Sequence, residues 1–134
     1  MKYKVGFICI GNSCRSQMAE GFAREYASDI LDVYSAGTDP SDNVKENAVK
    51  AMEEVGIDIS DQHPKYLKDI PSELDILITM GCGVECPYIP CSFREDWGLE
   101  DPAGKPMEVF RETRTIIKQK VRELIKMVRD GKLD

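Results

Sequence analysis

A thiol and a guanidinium frame the first segment of this chain whose residue types could do chemistry, Cys9-Ile10-Gly11-Asn12-Ser13-Cys14-Arg15-Ser16. A cysteine attacks as its thiolate, and helix N-termini and nearby cations favour that form. Arg15 supplies a cation whose planar fork can hold two oxygens of a tetrahedral anion. Gly11 lets the backbone turn without a Cβ clash. Asn12 can brace the turn through its amide, and Ser13 and Ser16 can donate hydroxyls to the thiolate or the loop. A bare Cys-x5-Arg pattern is common among unrelated proteins, so Cys9 could simply end a strand and Arg15 open a helix. Placement is what favours chemistry.

Tyr3 to Cys9 is an apolar, β-rich run, and from Ser16 onward Met18, Ala19, Phe22, Ala23 and Tyr26 recur at helical spacing. The segment between them is therefore a loop at the carboxyl end of a strand, where open α/β sheets bind ligands. The helix start adds free backbone N–H groups and a positive dipole end, and a loop wrapped around it makes a nest for an anion. Ile10, Gly11, Asn12, Ser13, Cys14, Arg15 and Ser16 are the expected oxyanion-binding residues, with the Cys14 side chain pointing away as packing.

Further strands are expected at Val33–Ala36, ended by Gly37, at Asp75–Met80 and at Ser92–Trp97. Asn43 followed by Glu46 reads as a helix start, with Ala48, Ala51, Met52 and Val55 as its stripe and Gly56 as its stop. Tyr66–Ile70 reads as a short helical turn, Gly81–Pro90 as loop, and Asp101–Gly104 as a turn. After Pro106 a long helix presents Val109, Phe110, Thr113, Ile116, Ile117, Val121, Leu124, Ile125 and Val128. This order predicts α/β architecture, a parallel sheet covered by helices on both faces, in one domain over 1–134. A chain of 134 residues can bury such a core without metals or disulfides.

The net charge of −6 argues against a nucleic-acid partner held by counterion release, but not against a small anion. No apolar stretch matches a signal peptide or a membrane span. Five cysteines, an odd number, with no secretion signal indicate a cytoplasmic chain whose thiols are redox, catalytic or metal-binding candidates.

Cys9 through Glu20, with Gln17-Met18-Ala19 after the loop, resembles the signature of the low-molecular-weight tyrosine phosphatase superfamily. More specifically it resembles the thioredoxin-coupled arsenate reductases, since the phosphatases usually carry Pro where this chain has Gln17. Val33–Gly37, Gly56–Ser60 and Trp97–Gly104 are similar to the reductases as well. The resemblance implies a three-layer fold around a four-stranded parallel sheet, with Cys9 as nucleophile, Arg15 as anion holder and Asp101 as the acid that protonates the leaving oxygen. By local sequence alone Asp101-Pro102 is equally an exposed turn. Where the phosphatases follow this Asp-Pro with tyrosines, this chain has Ala103-Gly104, which suits a small inorganic anion. The alternative implied is a phosphatase acting on phosphotyrosine or small phosphate esters with the same three residues.

Arsenate, unlike phosphate, can take two electrons from thiols. The resemblance puts Cys82 as the second thiol and Cys86, before Pro87, as the third, with thioredoxin clearing a Cys82–Cys86 disulfide. Cys91 is a rival third thiol, and Thr79–Gly83 also resembles relatives that use one catalytic cysteine and a low-molecular-weight thiol. Cys82, Cys86 and Cys91 with His63 match no common zinc spacing. Glu20 and Ser35, with Asn12, resemble a potassium site of some reductases, but its further partners fall near His63 and Lys65, which do not match; the Lys65 ammonium could stand in for the ion. No metal and no bound cofactor are expected, the chain is read as a monomer, and Trp97 is read as core.

Overall fold

The computed structural model describes residues 2–81 and 89–132. Four parallel strands, β1 (Tyr3–Cys9), β2 (Leu31–Gly37), β3 (Ile76–Thr79) and β4 (Phe93–Asp96), form one sheet in the order β2-β1-β3-β4. Three α-helices accompany them among the described residues: α1 (Arg15–Ala27), α2 (Glu46–Glu53) and α3 (Met107–Arg129). The chain leaves β1 toward β2 on one side and returns to β3 on the other, so the carboxyl end of β1 lies at the switch point of the sheet.

Alternation along β1 sorts the core into two parts. Val5, Phe7 and Cys9 point into the larger cluster, with Met18, Phe22, Met52, Phe110, Ile117 and Val121 from the three α-helices. Ile8 joins Ala36, Ile70, Leu74, Leu77 and Ile89 on the opposite face. The expected cover on both faces is thus made of unequal material. One face carries α1, α2 and α3; on the other, the described residues supply a 3-10 turn, Leu67–Asp69, and connecting segments. Trp97 is buried, with its ring 5.8 Å from that of Phe7.

Three local readings differ from expectation. Helix α2 is entered through Lys45, not Asn43. The Lys45 N–H is held by the Ser13 carbonyl while its own carbonyl accepts from Ala48 and Val49, so a tertiary bond delays the helix start. Val55 is exposed, because α2 has already ended at Glu53 and a turn carries Val55 outward. Ile116 is exposed too, one position off the stripe through Thr113, Ile117 and Val121.

Glu54, just past α2, ties that helix to α3. It accepts from Arg111 Nη2 and Arg114 Nη1, both at 2.7 Å, and Arg114 also donates to the Ala51 carbonyl at 2.8 Å, satisfying an end of α2 that has no intrahelical partner. Hydrogen bonds from Arg111 first, then Arg114, hold the Glu54 carboxyl down from 4.5 to about 2. A depressed carboxylate stabilises the fold above its unfolded value and loses that contribution as pH falls through its folded value. Glu54→Gln is therefore expected to lower the urea midpoint at neutral pH. Wild type and variant should converge as pH drops from 4.5 toward about 2, which urea titrations at several pH values measure.

Candidate active site

Cys9 is the last residue of β1 and Arg15 the first of α1. Between them all the main-chain carbonyls are drawn outward. Those of Cys9, Ile10, Gly11 and Ser13 accept from the N–H groups of Thr38, Asp39, Ser41 and Lys45, on the segment between β2 and α2. The Asn12 carbonyl accepts from Gln17 Nε2 at 2.9 Å, and that of Cys14 from the Met18 N–H at 2.9 Å. In a trans peptide the N–H of the next residue points opposite to the carbonyl. The N–H groups of Ile10, Gly11, Asn12, Ser13, Cys14 and Arg15 therefore converge on the inside of the loop. Helix α1 begins without a side-chain cap and without an acidic residue in its first turn, which leaves its positive end for an anion.

The one non-glycine residue with positive φ among the described residues is Asn12, at 49°. Gly11 was expected to carry the turn, but its φ is not positive; a Cβ there would meet Ser41 Oγ at 3.0 Å, so its role is close approach. Asn12 sends its main-chain N–H to Cys9 Sγ at 3.0 Å. Its Oδ1 accepts from the Lys65 N–H at 2.9 Å, which can only donate, so its Nδ2 faces Ser16 Oγ at 2.7 Å. Ser16 Oγ, accepting there, is free to donate to Cys9 Sγ at 2.8 Å. Two donors thus meet the sulfur.

Arg15 is buried, and its Nη1 donates to the carbonyls of Met80 and Leu99. Its Nη2 lies 3.9 Å from Asp101 Oδ2. Asp101 stands at the rim, 57% exposed, with Oδ1 accepting the Ala103 N–H at 3.0 Å. A cleft of about 300 Å³ opens between them, lined by the loop and by Asp39, Ser41, Lys45, Asp101 and Ala103; no aromatic side chain lines it among the described residues. Asp39, Ser41 and Lys45 escaped the sequence reading, since they reach the cleft through the strap over the loop and carry no local motif.

Cys14 is buried in the main core cluster. Burial pushes its thiol up to about 11, partly offset by the Ser13 hydroxyl. At neutral pH it stays protonated, which leaves Cys9 as the nucleophile candidate of the loop. Cys82 and Cys86 lie outside the described residues. Cys91 precedes the amino end of β4, where Phe93 pairs with Ile76, whereas Cys9 ends β1 beyond the Ile8–Thr79 pair. The two thiols lie toward opposite ends of the sheet, and bonds from Leu74 to the Pro90 carbonyl and from Ser92 to the Asp75 carbonyl pin the segment around Cys91. No group of three or more potential metal ligands occurs among the described residues. Lys65 Nζ lies 3.7 Å from Glu20 Oε1 and donates to the His63 carbonyl at 2.8 Å, and Glu20 also accepts from Ser35 and Arg24.

Fold and site together define an α/β protein with a four-stranded parallel sheet and a cysteine–arginine loop, shaped to receive an anion, at the carboxyl end of its first strand. Residues 4–133 match the low molecular weight phosphotyrosine protein phosphatase family, and the chain belongs to that family. It is 48% identical over 124 residues to an arsenate reductase of Shouchella clausii, covering 89% of this chain and 86% of that protein. It is 44% identical over 126 residues to a glutaredoxin arsenate reductase of Synechocystis, covering 91% and 95%. A solved arsenate reductase in its phosphate-binding state superposes with a TM-score of 0.86 at 45% identity, over 94% of this chain and 98% of that one. A thioredoxin-dependent arsenate reductase of Corynebacterium glutamicum superposes with a TM-score of 0.80 at 32% identity, over 97% of this chain and 63% of that one.

The tightest approach to the loop is at Gly37, where a Cβ would fall 2.4 Å from the Ile10 carbonyl oxygen and 3.1 Å from the Asn12 nitrogen. Gly37→Ala is expected to cost about 1–3 kcal/mol, as overpacking does, and to disorder the nest. Thermal melting should show the first effect, and weaker protection of Cys9 by phosphate against alkylation the second.

Proposed function

We propose that this chain reduces arsenate to arsenite, with Cys9 as nucleophile and a thiol relay that ends on thioredoxin. The observation that carries the reading is the loop itself. The Asn12 N–H and the Ser16 hydroxyl meet the Cys9 sulfur, the outward carbonyls turn the loop's N–H groups inward, and Arg15 lines the same small cleft, which has no aromatic lining among the described residues. That cleft suits a tetrahedral inorganic anion better than an aryl phosphate. The relatives at 44% to 48% identity are arsenate reductases.

The Cys9 thiolate attacks arsenic, forming a sulfur–arsenic bond, while the loop amides and Arg15 hold the remaining oxygens. Asp101 gives a proton to the departing oxygen, which leaves as water. Cys82, as thiolate, attacks Cys9 Sγ. The sulfur–arsenic bond breaks, its electron pair reduces As(V) to As(III), and arsenite leaves a Cys9–Cys82 disulfide. Cys86 then attacks Cys82, which frees the Cys9 thiolate, and a dithiol donor reduces the Cys82–Cys86 disulfide. The pinned position of Cys91 favours Cys86 as the third thiol. The thioredoxin-dependent neighbour supports that donor, while the Synechocystis relative makes glutaredoxin the comparison to run. A relay of reduced thiols belongs in a reducing compartment, the cytoplasm, and no helix among the described residues is long and apolar enough to cross a membrane.

The test is arsenate-dependent NADPH oxidation with thioredoxin and thioredoxin reductase. Wild type and Cys91→Ser should turn over alike, and Cys9→Ser and Cys82→Ser should lose turnover by more than about a hundredfold, as loss of a nucleophile does. If neither thioredoxin nor glutaredoxin with glutathione supports oxidation, while p-nitrophenyl phosphate is hydrolysed by wild type and Cys82→Ser alike, the chain is a phosphatase.

A further inference from the structure

Gln17 is fully buried in the first turn of α1, and each polar atom of its side chain is committed. Its Nε2 lies 2.9 Å from the Asn12 carbonyl, 3.1 Å from Asn12 Oδ1 and 2.9 Å from the His63 carbonyl. Main-chain carbonyls only accept, so the nitrogen of this amide must face them. On the other side Gln62 Nε2 donates to Gln17 Oε1 at 2.8 Å and to the Gln17 carbonyl at 2.9 Å. That second contact is again to a main-chain acceptor and sets the Gln62 amide in turn. Two side-chain amides from distant parts of the chain thus lock head to tail behind the oxyanion loop.

What they hold is the left-handed Asn12. Its carbonyl must stay outward for the next N–H to point inward, and the carbonyl's partner is Gln17. Its Oδ1, shared between Gln17 and the Lys65 N–H, keeps Nδ2 on Ser16, which in turn donates to Cys9. Backbone in this region persists only where its surroundings over-determine it. We propose that Gln17, oriented by Gln62, is a positioning residue for the Cys9 thiolate: it holds Asn12 in the conformation that delivers both donors to the sulfur. Gln17 touches neither the sulfur nor the cleft. It acts through Asn12 alone, and links the nucleophile to the 62–65 segment.

The proposal rests on Cys9 as the nucleophile but not on arsenate. Its test is the pH dependence of Cys9 alkylation by iodoacetamide in the reduced protein, read by peptide mass spectrometry, alongside thermal melting. Gln17→Met keeps the volume and removes the amide. The expected result is alkylation at pH 7 slowed at least fivefold, with the profile displaced to higher pH and the high-pH plateau retained. Gln62→Met should move the profile the same way by less. A purely structural role would lower the melting temperature and leave the profile in place. Folded Gln17→Met with the wild-type profile overturns the proposal. Should Gln17→Met fail to fold, Gln62→Met decides instead: a displaced profile supports the proposal and a wild-type profile overturns it. Failure of the arsenate reading would leave these profiles untouched, since alkylation uses no arsenate.

Discussion

Everything at this site depends on turning a run of carbonyls away from one point. An anion nest needs consecutive N–H groups facing inward, and the peptide plane then forces the attached carbonyls outward, where each needs a donor. Here the donors come from outside the loop. Thr38, Asp39, Ser41 and Lys45 bring main-chain N–H groups across from the β2–α2 connection, and Gln17 brings a side-chain amide. The nest is therefore held open by its outer surface. Its geometry is as firm as the strap and as the end of β2 that launches it, which explains the close fit of Gly37 against Ile10.

The same arrangement distributes charge. The chain is acidic overall, yet the cleft gathers the Arg15 guanidinium, the uncapped start of α1 and the inward N–H groups. Local donors decide anion binding in so small a volume, because distant surface carboxylates are screened while the buried groups are not. The two loop cysteines illustrate the contrast. Cys14 is buried among apolar side chains, and its thiol is pushed up to about 11. Cys9 ends its strand under two hydrogen-bond donors.

A phosphatase and an arsenate reductase can share this loop because both begin with a thiolate attacking a tetrahedral oxyanion. They diverge at the second step, where reduction needs a thiol to attack sulfur and hydrolysis needs water to attack phosphorus. The structure contributes to that distinction by excluding. Cys91 is anchored near the amino end of β4, away from Cys9, and the cleft is lined by Ala103 and, among the described residues, by no aromatic side chain.

Much of this was legible from residue types and order. The strand Tyr3–Cys9, the turn residues and the helical period from Met18 place Cys9 and Arg15 across a strand–loop–helix junction, because periodicity reports local structure directly. The strand and helix order likewise implied the parallel sheet. What the linear pattern left open depends on contacts between distant residues. The left-handed conformation fell on Asn12, where Gln17 and the Lys65 N–H hold it, while Gly11 leaves room for the Ser41 side chain. Helix α2 began at Lys45 rather than Asn43 because Ser13 captured the Lys45 N–H. Asp39, Ser41 and Lys45 joined the cleft with no motif to announce them. Residue type and spacing by themselves determined which atoms could attack and which could hold an anion. Only the tertiary structure decided which hydrogen bonds aim them, since those donors and acceptors are brought together by the sheet and not by the chain.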